Sequence, residues 1–279
     1  MCGFLVVGSS ELELQVFNDA LNQAAYRGPD HQHVSINNGI TWGFNRLSIM
    51  DLSSKGNQPF VYKDCVLVCN GEVYNYHSLK AMLETDYTFK SGSDCEVLIP
   101  LYHKYGIEIL CKFLDAEFAM VIYDAKKDKI LAARDPMGIR PMFYGYHKED
   151  GKICFASEAK GLFPLCQEIM PFPPGHYYED GKFICYNDLS NPKTINNDDL
   201  ETIAINLRLK LEKAVEKRLQ SDAPIGYLLS GGLDSSLVCA IAARLNDQPI
   251  KTFAIGMDTD PIDLKYAKQV ADYLGTDHT

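Results

Sequence analysis

Two neighbouring segments of the chain, AEFAMVIYD and KILAARD, are apolar at nearly every position. A strand with one buried face alternates apolar and polar side chains, whereas a strand buried on both faces is apolar throughout. The two segments therefore predict strands in two sheets that pack on each other, or in sheets covered by helices. Apolar material is ample for such a core, because 46% of the 279 residues are hydrophobic.

Residues 1–185 are predicted to be rich in strands, with turn residues between them and few helices. At the start of one predicted helix, Ser93 and Glu96 have the spacing of a capping box. The predicted helices cover 11–26, 76–84 and 94–105. The predicted strands cover 4–7, 66–69, 118–123, 130–134, 142–146 and 153–156.

The pattern changes after DLSNPKTINNDD, whose Asn, Asp and Pro content is typical of a linker. A long amphipathic helix is predicted over 200–219, and two strands (PIGYLL, KTFAIGM) then alternate with two helices (SLVCAIAARL, DLKYAKQVADYLG). This alternation indicates the start of a parallel α/β sheet. We therefore expect two domains, 1–190 and 191–279, of which the second has two strands and is truncated. The chain is then a fragment, a separate short chain whose missing half is supplied elsewhere, or a protein with a vestigial second domain.

The formal net charge of −10 and the lack of basic clusters argue against binding to nucleic acid, which requires clustered Lys and Arg. The sequence has no apolar segment long enough to span a bilayer, and its N-terminus lacks the features of a signal peptide. The nine cysteines include no CxxC pair, so their spacing fits neither a zinc site nor a disulfide framework. We expect a cytoplasmic protein that binds neither nucleic acid nor a membrane.

Cys2 stands directly after the initiator methionine and before a short apolar run. If Met1 is removed, one residue carries both a thiol and a free α-amine, whose pKa of about 8 lets it accept the thiol proton. Cys2 would then be nucleophile and base together. The alternative is that position 2 is an ordinary terminal residue, and the motifs elsewhere in the chain favour the first interpretation.

Five short motifs carry charged or amide side chains, in most cases beside a glycine or proline: RGPD at 27–30, NRLSIMD at 45–51, NGEVYN at 70–75, SGSDCE at 91–96 and RDPMGIRP at 134–141. Most of them, taken alone, are typical of a turn or a helix cap. Together they are typical of a small-molecule site whose contacts come from loops on a rigid scaffold. A zwitterionic amino acid requires a cation for its carboxylate and an anion for its ammonium group, and Arg46 and Asp94 are the candidates.

In this order, MCG, RGPD, RLSI, NGEVYN, SGSDCE, RDPMGIRP and ASEAK resemble the class II, or N-terminal-nucleophile, glutamine amidotransferases, and most closely the glutamine-hydrolysing asparagine synthetase family. The resemblance runs almost from end to end. It implies an α+β protein with a four-layer αββα sandwich of two antiparallel sheets, followed by an incomplete α/β parallel-sheet domain like that of the adenine nucleotide α-hydrolases. Two positions depart from the family pattern, Tyr26 before RGPD and Phe44–Asn45 before RLSI, and they affect the details of loops.

The resemblance also implies roles for individual residues. Cys2 is the nucleophile, which hydrolyses glutamine through a glutamyl thioester, and Asn70 and Gly71 form the oxyanion hole. Arg46 holds the carboxylate of glutamine, and Asp94 with the NGE segment holds its amino end. The residues implied to bind glutamine are Arg46, Leu47, Ser48, Ile49, Met50, Asn70, Gly71, Glu72 and Asp94.

The motif SGGLDSS at 230–236 lies between a predicted strand and a predicted helix. Glycines at such a turn let backbone N–H groups converge on an anion at the helix N-terminus. The lysine of the GxxxxGK[ST] loop is missing, so the motif is not that of kinase-like NTPases, and taken alone it is equally a glycine-rich turn with a Ser/Asp cap. It resembles the pyrophosphate loop of the N-type ATP pyrophosphatases. The resemblance implies that ATP, pyrophosphate and Mg²⁺ bind at Ser230, Gly231, Gly232, Asp234, Ser235 and Ser236, with Asp234 as the metal ligand. It also implies that adenine and ribose contact Leu228, Leu229, Ile255 and Gly256.

Two functions are compatible with the sequence. In the first, the chain hydrolyses glutamine to glutamate and ammonia, and the complete enzyme uses the ammonia for ATP-dependent amidation of aspartate, with release of AMP and pyrophosphate. In the second, a truncated relative acts as a glutaminase alone or as a glutamine-binding regulatory or assembly module. The intact Cys2, Arg46 and Asp94 favour hydrolysis. The expected partners are glutamine, ATP and aspartate, with either a second copy of the chain or a partner chain that supplies the missing half. We expect the 279 residues by themselves to release ammonia without making asparagine.

Overall fold

The computed structural model describes residues 1–9, 12–192, 194–257 and 262–279. These residues form two compact units, Met1–Thr194 and Ile195–Thr279. The first residue of the helix predicted over 11–26 lies outside the described residues.

The first unit contains two six-stranded antiparallel sheets. Its strands are, in chain order, β1 Gly3–Val7, β2 His31–Asn37, β3 Ile40–Arg46, β4 Phe60–Tyr62, β5 Cys65–Val73, β6 Ala116–Asp124, β7 Lys129–Arg134, β8 Phe143–His147, β9 Ile153–Ala156, β10 Cys166–Pro171, β11 His176–Glu179 and β12 Lys182–Cys185. The order in the first sheet is β10-β8-β9-β1-β3-β2, and the order in the second is β12-β11-β7-β6-β5-β4.

Helices cover the outer faces of both sheets. α1 packs on the first sheet, where Phe17 and Leu21 share a core with Leu5 and Val7. α2 and α3 pack on the second sheet, and the two sheets face each other across a core that contains Trp42. The layer order αββα confirms the fold implied by the resemblance. The helices are α1 Leu14–Asn22, α2 Tyr76–Leu83 and α3 Leu98–Phe113, with 3₁₀ turns at Ala25–Arg27, Ser54–Gly56, Asp94–Val97 and Ala159–Gly161.

β6 and β7 carry the segments AEFAMVIYD and KILAARD and lie in the interior of the second sheet. Met120 and Ile122 belong to the core beneath the helices, whereas Ala119 and Val121 belong to the core between the sheets. Both faces of β6 are therefore buried, which confirms the prediction from its continuous apolar sequence and gives the physical reason for that sequence.

The element predicted as a helix over 94–105 is a 3₁₀ turn followed by α3, which extends beyond the predicted end across a break at Gly106 (φ 79°). The predicted capping box is wrong, because the Ser93 side chain makes no capping hydrogen bond. The Glu96 carboxylate instead accepts a hydrogen bond from the backbone nitrogen of Lys90 at 2.8 Å. It therefore stabilises the loop that precedes the helix.

The second unit contains a three-stranded parallel sheet in the order β13-β14-β15, with alternating helices. Its elements are α4 Leu200–Lys217, β13 Gly226–Leu228, α5 Leu233–Leu245, β14 Lys251–Phe253, α6 Ile262–Leu274 and β15 Asp277–His278. The alternation agrees with the sequence, but the expectation of two strands is wrong, because the two residues of β15 pair with β14. Within the described ranges, no helix combines the length and apolarity needed to cross a membrane.

Candidate active site

Cys2 directly precedes β1, and its side chain packs at the edge of the core between the two sheets. The Sγ atom lies 3.4 Å from the backbone nitrogen of Leu47 and 3.5 Å from its carbonyl oxygen. The Nε atom of Arg27 donates to the carbonyl oxygen of Cys2 at 2.9 Å, and the guanidinium pairs with Glu158 at 3.2 Å. The RGPD, RLSI and ASEAK motifs therefore meet at Cys2.

The N-terminal amine and the Cys2 thiol lie close enough to affect each other's ionisation. Burial raises the pKa of the Cys2 thiol, and burial lowers the pKa of the α-amine of Met1. A thiol with a raised pKa needs a base, and a lowered pKa leaves a larger fraction of the amine unprotonated at neutral pH. The two groups are therefore suited to proton transfer, and removal of Met1 would place the amine on Cys2 itself.

Asn70 and Gly71 lie in sequence on β5, inside the second sheet. The Asn70 Nδ2 atom is buried and has no hydrogen-bond partner among the described residues. A buried donor without a partner costs about 1–3 kcal/mol and therefore needs an explanation, such as a ligand that accepts the hydrogen bond. At position 71, a Cβ atom would lie 2.7 Å from the carbonyl oxygen of Glu117, so the close approach of β6 requires glycine. Asn70 can donate to an oxygen atom that develops negative charge.

Three carboxyl groups and one guanidinium group form a cluster beside the N-terminus. Asp94 accepts a hydrogen bond from the backbone nitrogen of Val73 at 2.6 Å. Arg140 lies 3.0 Å from Glu117 and 4.0 Å from Glu72. Burial, and then the charge of Asp94, raise the pKa of Glu72 to about 8, and burial also raises the pKa of Asp94. A cation bound beside these two carboxyl groups would favour their charged forms, as the ammonium group of an amino acid does.

Arg140 reaches the cluster because the RDPMGIRP loop holds its backbone. Asp135 accepts hydrogen bonds from the backbone nitrogens of Ile139 and Arg140 at 2.9 and 3.1 Å. Arg134 donates to the carbonyl oxygen of Arg140 at 2.7 Å. The RDPMGIRP motif predicts this loop but does not show that Arg140 reaches the cluster. Glu117 is a single polar residue in a strand, and nothing in the sequence marks it as part of the site.

Arg46, the predicted carboxylate anchor, is buried at the end of β3. Its Nη1 atom donates to the carbonyl oxygen of Ser53 at 2.6 Å and to the Asn57 side chain at 2.7 Å. Its Nη2 atom donates to the carbonyl oxygens of Met50 and Asp51. Both terminal nitrogens therefore hold the loop that follows β3, and Arg46 is directed at this loop rather than at the carboxyl cluster.

The other predicted carboxylate-end residues, Leu47, Ser48, Ile49 and Met50, are half-buried members of the same loop. The backbone nitrogen of Ser48 donates to Asp30 of the RGPD motif at 2.7 Å. Asp51 accepts a hydrogen bond from the backbone nitrogen of Gly92, in the SGSDCE motif, at 2.8 Å. The structure thus brings the loop into contact with Cys2, RGPD and SGSDCE, as a pocket built from these motifs requires.

In the second unit, SGGLDSS connects β13 to α5, and Gly232 is the residue before the helix. The hydroxyl oxygens of Ser230 and Ser235 lie 3.0 Å apart. The Oγ atom of Ser236 is buried and lacks a hydrogen-bond partner within the part of the chain that the structure describes. Gly231 has a φ of 76°, and a Cβ atom there would lie 2.5 Å from α6. The packing of α6 therefore explains this glycine, whereas the Ser236 hydroxyl fits a ligand that accepts or donates a hydrogen bond.

The residues predicted to contact adenine and ribose differ in exposure. The side chains of Leu228 and Ile255 are 80% and 92% exposed, whereas Leu229 is 1% exposed and belongs to the core, so it offers only backbone atoms. Gly256 is exposed and lies close to α6. Asp234 is exposed in the first turn of α5. Over the described segments, no three His, Cys, Asp or Glu side chains are grouped as a metal site would require, so Asp234 has no carboxylate cluster around it.

Two antiparallel sheets between helices, with a cysteine at the start of β1, define the fold of the N-terminal-nucleophile amidotransferases. The chain belongs to the glutamine amidotransferase domain family, whose model matches residues 1–175. The asparagine synthase family model matches residues 206–279.

Curated relatives match the chain over most or all of its length. It is 38% identical to a probable asparagine synthetase (glutamine-hydrolyzing) of Schizosaccharomyces pombe and 40% identical to an asparagine synthetase of Zea mays, with all of this chain and 54% and 49% of those proteins covered. Asparagine synthetase B of Escherichia coli is 40% identical over 91% of this chain and 48% of its own length. The chain thus spans about half the length of these relatives.

Among solved structures, the chain is similar to the glutamine phosphoribosylpyrophosphate amidotransferase of B. subtilis, with a TM-score of 0.55 and 18% sequence identity. The match covers 90% of this chain and 65% of that one. At this identity the similarity establishes the fold alone.

Proposed function

We propose that Cys2, freed by removal of Met1, hydrolyses glutamine to glutamate and ammonia. The observation that carries the proposal is the placement of the half-buried Cys2 thiol beside the N-terminal amine and against the backbone of Leu47. The family match over residues 1–175 supports the same reaction.

In the proposed mechanism, the α-amine of Cys2 accepts the thiol proton, and the sulfur attacks the γ-carboxamide carbon of glutamine. Asn70 Nδ2 and the backbone N–H of Gly71 donate hydrogen bonds to the oxyanion. The C–N bond then breaks, the ammonium form of the amine returns its proton to the leaving nitrogen, and ammonia departs. Water hydrolyses the remaining γ-glutamyl thioester to glutamate and restores the thiol. The unpaired donor of Asn70 supports its part in this scheme.

The two ends of glutamine would be held by opposite charges. Glu72 and Asp94 bind the α-ammonium group, and their raised pKa values indicate carboxyl groups that a bound cation would stabilise. Arg46 binds the α-carboxylate together with the loop 47–50. Since its terminal nitrogens already contact the loop, Arg46 would act both by its charge and by holding these residues in position.

For the complete protein, we propose glutamine-dependent, ATP-dependent amidation of aspartate, the activity named for the relatives that match along this chain. The SGGLDSS loop, with Ser230, Gly231, Gly232, Asp234, Ser235 and Ser236, would hold the phosphates of ATP and Mg²⁺, and the unpartnered Ser236 hydroxyl supports this assignment. ATP would supply an activated aspartate carboxylate. All nine cysteines are free thiols, which supports a reducing compartment such as the cytoplasm.

Ammonia release from glutamine tests the glutaminase proposal. Cys2→Ala should abolish release, whereas Cys185→Ala, which removes an exposed free thiol elsewhere in the same unit, should leave it unchanged. Glutamine binding without any turnover by the unaltered chain would instead support a glutamine-binding regulatory module.

A further inference from the structure

Glu72 and Glu117 lie directly opposite each other on the antiparallel strands β5 and β6. Both side chains are largely buried, with 18% and 17% of their surface exposed. Like charges at directly opposed positions destabilise a sheet, and burial increases the cost. When both carboxyl groups are ionised, the pair is stabilised by a cation, and the guanidinium of Arg140 lies within 4.0 Å of both.

Arg140 does not lie midway between the two carboxylates. Its Nη2 atom donates to Glu117 at 3.0 Å, while the nearest Glu72 oxygen is 4.0 Å away. The hydroxyl of Tyr74 donates to the same Glu117 oxygen at 2.8 Å and fixes that side chain. Since Asp135 anchors the Arg140 backbone, the guanidinium is directed from a fixed loop towards Glu117. Glu72 is left available to a second cation.

We propose that Glu117 is a positioning residue, which holds Arg140 away from Glu72 so that Glu72 and Asp94 can bind the α-ammonium group of the substrate. Without the charge of Glu117, Arg140 would pair with Glu72 and would also repel the ammonium group. The inference rests on the proposed binding of glutamine at this site. In this arrangement Glu117 and Arg140 affect recognition of the α-ammonium group of glutamine and not recognition of its side-chain amide.

The test compares two ligands in the Cys2→Ala background, where equilibrium binding is measured without turnover. The ligands are L-glutamine and its desamino analogue, which keeps the carboxylate and the amide but lacks the α-ammonium group. Glu117→Gln keeps the shape of the side chain and removes its charge. Glu117→Asp keeps the charge, and Glu108→Gln, at an exposed position paired with Lys112, is the matched control.

We expect Glu117→Gln to weaken glutamine binding about tenfold, as for the loss of one charge-assisted contact, and to leave the desamino analogue unaffected. Glu117→Asp should recover most of the affinity, and Glu108→Gln should change neither ligand. Equal weakening of both ligands, or unchanged glutamine affinity, would overturn the inference. Cys2-dependent ammonia release by the unaltered chain tests the proposed function separately, so either claim can fail while the other stands.

Discussion

The Sγ atom of Cys2 contacts both backbone polar groups of Leu47. It lies 3.4 Å from the nitrogen and 3.5 Å from the carbonyl oxygen. The loop after β3 therefore orients the thiol, and it also carries the residues proposed to bind the carboxylate end of glutamine. Arg46 holds this loop through four hydrogen bonds from its terminal nitrogens. A change in Arg46 should thus affect both the fold and the site.

If Arg46 binds the substrate carboxylate as proposed, Arg46→Ala should raise the KM for glutamine by about one to two orders of magnitude, because the site loses that positive charge. It should also lower the free energy of unfolding by about 1.5–3 kcal/mol, because hydrogen bonds from a buried charged group are lost. Asn57→Ala removes one of the four loop contacts and keeps the guanidinium. Steady-state kinetics and denaturant unfolding of the two variants separate these effects. An equal rise in KM in both variants would show that Arg46 only holds the loop and does not bind the substrate carboxylate.

Asn70→Ala should lower kcat for glutamine hydrolysis by about 10²–10³-fold, the usual effect of removing one oxyanion donor, with little change in KM. The Asn70 Nδ2 atom has no hydrogen-bond partner among the described residues, so its removal breaks no hydrogen bond to any of them. The thermal midpoint should therefore stay close to that of the unaltered chain. If KM rises while kcat is retained, Asn70 binds the ground state and the oxyanion assignment is wrong.

Glu72→Gln should stabilise the fold at alkaline pH while it weakens glutamine binding. The pKa of Glu72 is raised from 4.5 to about 8, first by burial and then by the charge of Asp94. A raised carboxyl pKa means that the folded state binds the proton more tightly. The contribution of this group to stability is therefore present below about pH 4.5, declines as pH rises, and is lost above about pH 8.

The gain in thermal midpoint from Glu72→Gln should accordingly be larger at pH 9 than at pH 5. The charges that face Glu72 are Asp94, Glu117, Arg140 and the N-terminal amine, and the substitution leaves all four in place. Differential scanning calorimetry at the two pH values measures the effect. A gain that is independent of pH would show that Glu72 is ionised throughout this range.

The sequence was sufficient to predict six of the eight interior strands that the structure describes in the first unit. It missed the interior strands β3 and β11 as well as the four edge strands. The buried strand β6 is apolar throughout, and it was predicted within a few residues of its ends. The edge strand β2, HQHVSIN, has exposed polar side chains and gives no such signal, since its structure depends on pairing with β3. The two-residue strand β15 is too short for any pattern and is defined by its pairing with β14.

Within the candidate site, local motifs identified the loops but could not show which side chains meet. Glu96 has the spacing of a capping box with Ser93, yet its carboxylate accepts hydrogen bonds from the backbone nitrogens of Lys90 and Ser91 in the preceding loop. Arg140 and Glu117 are 23 residues apart and meet because two strands and a loop place them together. Such contacts depend on tertiary structure, so the sequence alone gave no signal for them.

Mass spectrometry of the chain, quenched in acid during turnover, shows whether an N-terminal Cys2 attacks glutamine. The relevant tryptic peptide ends at Arg27, and its mass reports both the first residue and any group bound to the thiol. We expect a peptide that begins at Cys2, with a fraction carrying a γ-glutamyl thioester that disappears in Cys2→Ala. A peptide that begins at Met1 and carries no glutamyl group, recovered from a chain that releases ammonia from glutamine, would contradict this mechanism.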